Sequence, residues 1–142
     1  MRMRKEVKLL DAVCGSLKRG KGLPEGYKRR LANAFGRRFE NTLKALEEGV
    51  VKRYLFKPSG RVVWIVVGKE KDYQVIPAAN YCSCDDFYFR VLDGDAALCY
   101  HVIAQKISEA LGRYESIEDS DDLYEPLMAE WRFIKREWFT DD

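Results

Sequence analysis

The chain has 142 residues, 46% of them hydrophobic and 34% charged, and it carries a formal net charge of +2. We expect one soluble globular domain with a substantial core, because this length can bury enough apolar surface and no apolar run is long enough to span a membrane. The basic start of the chain has no apolar signal-peptide region, so we expect a cytoplasmic or nucleoid protein (nuclear in a eukaryote) that is not secreted.

The charges are unevenly distributed along the chain. Residues 1–44 carry 13 Lys and Arg against 4 Asp and Glu, whereas residues 109–142 carry 4 against 11. This asymmetry predicts two surfaces with different partners. The alternative interpretation is that these are ordinary solvated helix faces of opposite sign, which attract each other within the fold.

The first predicted helix covers residues 3–18. Val7, Leu10, Cys14 and Leu17 recur at spacings of three and four residues, which predicts one buried stripe. On this stripe we expect Cys14 to act as a small buried hydrophobic residue and not as a reactive thiol.

A second, longer helix is predicted from Pro24 to about Glu48, with Gly49 just past its end. We interpret Gly36, in its middle, as a point of close packing against another element. The expected buried stripe of this helix is Tyr27, Leu31, Phe35, Phe39, Leu43 and Leu46.

Basic residues lie largely off this stripe. The candidate nucleic-acid-binding residues are Lys28, Arg29, Arg30, Arg37, Arg38 and Lys44. Arg30, Arg37 and Lys44 are spaced by seven, which on one continuous helix places them nearly in line along one face. This order predicts a ridge that follows DNA phosphates, and the alternative is a solvated helix face.

A three-stranded antiparallel β-meander is predicted next, from residues 50–57, 61–68 and 73–76. Residues 58–60 form the first turn, with Pro at its second position and Gly at its fourth. The middle strand is apolar on both faces, which is typical of a central strand covered by helices. Pro77 is expected to disfavour further strand pairing and to direct the chain toward the group of cysteines described next.

Three of the four cysteines and the only histidine cluster in the next segment, as Cys82, Cys84, Cys99 and His101. Three thiolates and one imidazole are a common ligand set for a structural zinc ion in a tetrahedral site. The first pair would follow a strand and the second would lie in the first turn of a helix, where the dipole favours thiolate charge. The alternative is a group of buried free thiols.

The C-terminal part begins with an acidic stretch, residues 115–125, which we predict to be a linker or loop. A final helix is predicted from Glu125 or Pro126 to Phe139. Its apolar stripe contains the candidate partner-binding residues Trp131, Ile134 and Trp138. Such aromatic residues suit either a lid on the core or a docking surface for another protein.

The spacing C-x-C-x14-C-x-H, with the aromatic run 87–89 between the two pairs, resembles the SWIM zinc finger. The resemblance covers about residues 50–113 and is to the small SWIM subunit of Shu-type recombination complexes, in an archaeal-like form. It implies a Zn²⁺ cofactor, a role in homologous recombination and DNA repair, a RecA-family recombinase paralogue as protein partner, and DNA. Tyr100 stands where many SWIM proteins carry a basic residue, so a phosphate contact is not expected there.

We therefore expect a non-enzymatic accessory protein, or alternatively a protein interaction module that reaches nucleic acid only through its partner. Four good ligands close the zinc shell, a second histidine is missing, and there is no phosphate-binding glycine loop, so neither an enzyme nor a small-molecule substrate is expected. The expected fold is α+β, with N-terminal helices, the meander, a zinc-bound ββα-type unit and a C-terminal helix. Its regions, in one compact domain, are 1–49, 50–113 and 114–142.

Overall fold

A computed structural model describes the backbone of residues 2–84 and 98–132, and side chains from Lys5 onward. The aromatic run 87–89 and the candidates Ile134 and Trp138 lie outside the described residues. The helices are α1 (Arg2–Ser16), α2 (Glu25–Phe35), α3 (Arg37–Glu48), α4 (Tyr100–Leu111) and α5 (Tyr124–Trp131). The strands are β1 (Val51–Lys57), β2 (Arg61–Val67), β3 (Asp72–Ile76), β4 (Tyr81–Cys82) and β5 (Glu115–Ser120).

The five strands form one sheet in the order β4-β3-β2-β1-β5. Strands β1, β2 and β3 make the predicted antiparallel meander, and β2 lies at the centre of the sheet. We had expected strand pairing to stop at Pro77, but it continues after it. Pro77–Ala79 form a single turn of 3-10 helix, after which β4 pairs antiparallel with β3, with Val75 opposite Cys82.

The acidic stretch that we predicted to be a linker forms β5, parallel to β1. Glu, Asp and Ser have low strand propensity, so the sequence pattern did not indicate a strand. At the sheet edge the strand is stabilised by basic neighbours: Lys57 Nζ lies 2.7 Å from Glu118 Oε1, and Lys52 Nζ lies 3.8 Å from Glu115 Oε2. Charged residues on an edge strand also oppose pairing with other chains.

The long helix predicted from Pro24 to Glu48 is two helices, α2 and α3, separated at Gly36. Gly36 has φ 56° and ψ −124°, a backbone conformation that residues with a Cβ rarely adopt. A Cβ at Gly36 would meet no atom within 4 Å, so the glycine provides the backbone conformation that interrupts the helix and not the close packing that we had expected. As a result Arg30 lies on α2, whereas Arg37 and Lys44 lie on α3, and the three do not form one continuous line.

Apolar side chains cover both faces of the sheet. On one face Trp64 and Val66 pack in a core with residues of α1 to α4, including Leu10 and Ile103. On the other face Phe56, Val63, Ile65 and Trp131 form a second, smaller cluster under α5. The α+β class and the double coverage of β2 are thus confirmed. None of the helices in the described ranges is long and apolar enough to cross a membrane.

Candidate metal centre

The four predicted ligands lie together in the structure. The thiol sulfurs of Cys82, Cys84 and Cys99 and a ring nitrogen of His101 are all within 4.8 Å of one another. Each residue is at most 5% exposed. Zinc–sulfur bonds of about 2.3 Å in a tetrahedron place two sulfurs about 3.8 Å apart, so a cluster of this size fits a zinc ion after small adjustments.

The first two ligands come from the end of the sheet. Cys82 is the last residue of β4. The ladder to β3 continues at Ser83, whose backbone N–H donates to the Gln74 carbonyl at 3.0 Å and whose Oγ accepts from the Gln74 N–H at 3.0 Å. The backbone bends at Ser83 and Cys84, directly after β4. The two bonds to Gln74 hold this bend against β3, and the Cys82 and Cys84 sulfurs lie within 4.8 Å of each other.

The other two ligands come from the start of α4. Cys99 is the N-cap residue, with φ −84° and ψ 166°, so it lies one position before the first turn in which we had predicted it. His101 is the second residue of the helix. The partial positive charge of the helix N-terminus therefore still faces the cluster and favours thiolate charge there.

The imidazole of His101 has a buried nitrogen without a hydrogen-bond partner among the described residues. Its Nδ1 lies 3.9 Å from Cys99 Sγ. Its Nε2 is buried and has no hydrogen-bond partner among the described residues. The rings of Tyr73 and Tyr100 pack at 4.3 and 4.0 Å from the imidazole, measured between centroids, and help to exclude water. A metal ion bound to this ring would supply an interaction that the described residues do not.

The electrostatics of the thiols lead to the same conclusion. Hydrogen bonding to Cys84 and Cys99, together with burial, raises the pKa of Cys82 far above its usual value. For Cys99, hydrogen bonding to Cys82 lowers the pKa, but hydrogen bonding to Cys84 and burial outweigh this and raise it to about 12. Three buried thiols in contact cannot all ionise without a cation between them. A divalent metal ion supplies that charge.

Cys14 lies apart from this cluster. Burial raises the pKa of its thiol to about 11, which fits the predicted small hydrophobic residue better than a reactive thiol. The stripe of α1 on which we placed Cys14 is shifted from the prediction. The fully buried apolar residues of α1 are Leu10 and Val13, whereas Val7, Cys14 and Leu17 are partly buried.

Glu6 lies one helical turn before Leu10 and is only 5% exposed. Arg38 on α3 binds it through two hydrogen bonds: Nη2 to Oε2 at 2.6 Å and Nη1 to Oε1 at 3.0 Å. The same Nη1 donates to the carbonyl oxygen of Leu98 at 2.7 Å. The sequence analysis missed this pair. Glu6 stands four residues before Leu10, on the buried face of an amphipathic helix, and this position indicates a buried carboxylate that needs a basic partner.

The six basic candidates therefore have different environments. The side chain of Arg38 is 12% exposed, so it belongs to the interior, and Lys28 Nζ pairs with Glu25 at 3.2 Å. Arg29, Arg30, Arg37 and Lys44 are exposed. No ion pair is found for these four within the described part of the chain.

The three partner-binding candidates are only partly described. Trp131 is 6% exposed and packs edge-on against Tyr54, with ring centroids 4.9 Å apart. It therefore serves as a lid on the second cluster. A partner-binding role of Ile134 and Trp138 stays a prediction.

A buried Cys₃His cluster that joins the end of a β-meander to the start of a helix defines a zinc-finger protein of the SWIM type. Mouse (Mus musculus) zinc finger SWIM domain-containing protein 7 is 31% identical over 130 residues, which are 89% of this chain and 85% of the mouse protein. The chain belongs to the family of zinc finger SWIM domain-containing protein 7.

Two other relatives agree with this assignment. The human (Homo sapiens) protein of the same name is 29% identical over 115 residues, covering 80% of this chain and 81% of its own length. A homologue from Dictyostelium discoideum is 30% identical over 86 residues, and the match spans 59% of this chain but only 55% of that relative. No protein-family profile matches the chain. No experimentally determined structure matches it either.

Proposed function

We propose that this chain is a non-enzymatic, zinc-binding accessory protein of homologous recombination and DNA repair. In this role it binds a paralogue of the RecA-family recombinase and contacts DNA. The observation that carries the proposal is the closed Cys₃His cluster in a chain of the SWIM family. Four protein ligands leave no open position on the metal for water or substrate, so the ion stabilises the fold and has no catalytic task.

The recombinase partner is proposed from the resemblance to the small SWIM subunit of Shu-type complexes. The test is co-expression with a RecA-family paralogue from the same organism, followed by size-exclusion chromatography of the purified pair. A zinc-containing heteromer at defined stoichiometry is the expected result. Elution as two separate proteins at micromolar concentration would contradict this part of the proposal.

The DNA-contacting surface is proposed on α2 and α3. It consists of the four exposed basic residues Arg29, Arg30, Arg37 and Lys44. Arg37 and Lys44 are seven residues apart on one helix, so they lie about 10 Å apart along its axis on nearly the same face. Lysine and arginine on one helix face can neutralise backbone phosphates, and this contribution to affinity falls with salt.

The experiment is fluorescence anisotropy of labelled single-stranded and duplex DNA with the zinc-loaded protein over a salt series. Each phosphate contact contributes about −0.7 (single strand) or −0.9 (duplex) to the slope of log K against log salt. We expect the double variant Arg37→Glu and Lys44→Glu to lose about two such contacts. The matched control, Arg113→Glu with Arg132→Glu, changes the charge equally at exposed positions outside α2 and α3.

Equal losses in the two double variants would mean that only net charge matters and would refute the assignment to α2 and α3. No binding at low salt by the zinc-loaded wild type would refute direct DNA contact. The protein would then be an interaction module that reaches nucleic acid through its partner.

A further inference from the structure

Arg38 connects three separate parts of the chain at a point next to the metal ligands. Its guanidinium binds both carboxylate oxygens of Glu6 on α1, at 2.6 and 3.0 Å, and the carbonyl oxygen of Leu98, at 2.7 Å. The side chains of Arg38 and Glu6 are 12% and 6% exposed, so the bonds form in a nearly dry environment where they are strong.

The bond from Arg38 to the Leu98 carbonyl acts close to the metal cluster because Leu98 directly precedes the ligand Cys99. Both residues are fully buried. The intrahelical bonds of α4 begin only at the next carbonyl, that of Cys99, which accepts from the Ile103 N–H at 3.2 Å. The Leu98 carbonyl therefore lies outside the intrahelical bonding, and Arg38 supplies the hydrogen bond that holds it.

A second side chain of α3 contacts the residue that follows the ligand Cys99 in the chain. Thr42, one turn after Arg38, is fully buried, and its hydroxyl is 2.9 Å from the Arg38 carbonyl and 3.5 Å from the Tyr100 carbonyl. A hydroxyl has one proton, so the shorter bond dominates and the contact to Tyr100 is weak. Arg38 thus makes the principal direct bond from α3 to the segment that carries Cys99 and His101.

The charge balance indicates what this bond does. Arg38 is neutralised by Glu6, so the pair brings no net charge to a cluster whose thiolates and Zn²⁺ would sum to −1. A buried charge must be paired, and Glu6 fulfils that requirement. We infer that Arg38 orients the Leu98 carbonyl. Its planar guanidinium is fixed by two bonds to the Glu6 carboxylate, so its bond to Leu98 has a fixed direction.

We propose that Arg38, held by Glu6, is a positioning residue of the metal centre. It sets the place of Cys99 and His101 relative to Cys82 and Cys84, and so makes metal affinity depend on the packing of α1 and α3 against α4. Because thermodynamic coupling is reciprocal, metal binding in turn stabilises that packing. The proposal requires only the metal cluster and is independent of DNA and of the recombinase partner.

The experiment compares Arg38→Lys and Glu6→Gln with Arg113→Lys, a matched control at an exposed position outside the proposed DNA surface. Arg38→Lys keeps the charge but not the fork of donors. Glu6→Gln keeps the shape and one acceptor oxygen but leaves the Arg38 charge unpaired, so its metal affinity is compared only after circular dichroism has shown that the variant is folded. Zinc affinity is measured by competition with a chromophoric chelator, and ligand geometry by the visible absorption of the Co²⁺-substituted protein. Urea denaturation of the zinc-loaded protein measures overall stability separately.

We expect Arg38→Lys to bind zinc about 10–100-fold more weakly, as is usual when residues that orient metal ligands are changed. Its Co²⁺ spectrum should shift in position or intensity, Glu6→Gln should show the same changes to a smaller extent, and Arg113→Lys should show none. Zinc affinity and Co²⁺ spectra equal to those of the wild type in both variants would overturn the proposal, because the pair would then serve stability alone.

Discussion

Trp131 is the largest side chain of the cluster beneath α5, and its replacement by alanine tests how that face of the sheet is covered. It contacts the sheet through Tyr54, whose ring it meets edge-on at 4.9 Å, and it packs in one cluster with Phe56 and Ile65. If Trp131 is a lid on the core, Trp131→Ala should reduce stability strongly. If its main task is to bind a partner, the isolated protein should hardly be affected.

The magnitude follows from the buried area. A buried tryptophan removes about 150–250 Å² from water. At about 25 cal/mol per Å² this is worth about 4–6 kcal/mol, and a realistic unfolded state lowers the value to about 3–5 kcal/mol. The range agrees with typical Trp→Ala changes in protein cores. Trp131 is only 6% exposed, so little of this stabilisation is lost to solvent contact.

The assay is urea denaturation followed by far-UV circular dichroism, with zinc in excess so that metal loss does not contribute. With a slope of about 2 kcal/mol per M, a loss of about 4 kcal/mol lowers the midpoint by about 2 M. Leu123→Ala is the control, because Leu123 is 45% exposed and should change the midpoint little. A change of less than about 1 kcal/mol for Trp131→Ala would refute the assignment of this residue as a lid.

Two further predictions concern the metal thiols and the break between α2 and α3. Because the pKa of Cys99 is raised to about 12 and that of Cys82 is raised well above its usual value, these two thiols are protonated at neutral pH in the metal-free protein. Zinc binds thiolates, so zinc uptake should release protons and apparent zinc affinity should rise with pH. A zinc titration of metal-free protein in weak buffer with a pH indicator measures this, and an unchanged pH would contradict it. Gly36→Ala should cost about 1–2 kcal/mol in urea denaturation because φ is 56° there, whereas Gly15→Ala, inside α1 with open space around it, should stabilise the protein by about 0.5–1 kcal/mol. Effects of the same sign at both glycines would show that backbone conformation is not the cause.

The sequence alone was sufficient to predict the cluster of four candidate metal ligands and the meander. Cys82, Cys84, Cys99 and His101 could be recognised because ligand chemistry depends on residue type and short spacings, which are local in the chain. The three strands could be recognised because β-branched and aromatic residues between turn residues report a local preference. The same reasoning found the double-sided burial of β2, since a strand covered on both faces has no polar alternation.

Only the tertiary structure decided the features that depend on distant contacts. The acidic residues 115–120 form a strand because they pair in parallel with the edge of β1, where Lys52 and Lys57 lie beside them, and no local pattern contains that neighbour. Arg38 looked like a member of a basic surface but lies inside the protein, since its partners Glu6 and Leu98 are 32 and 60 residues away in the chain. Composition and spacing report what a segment prefers by itself, whereas these placements are set by free energies gained only when separate segments meet.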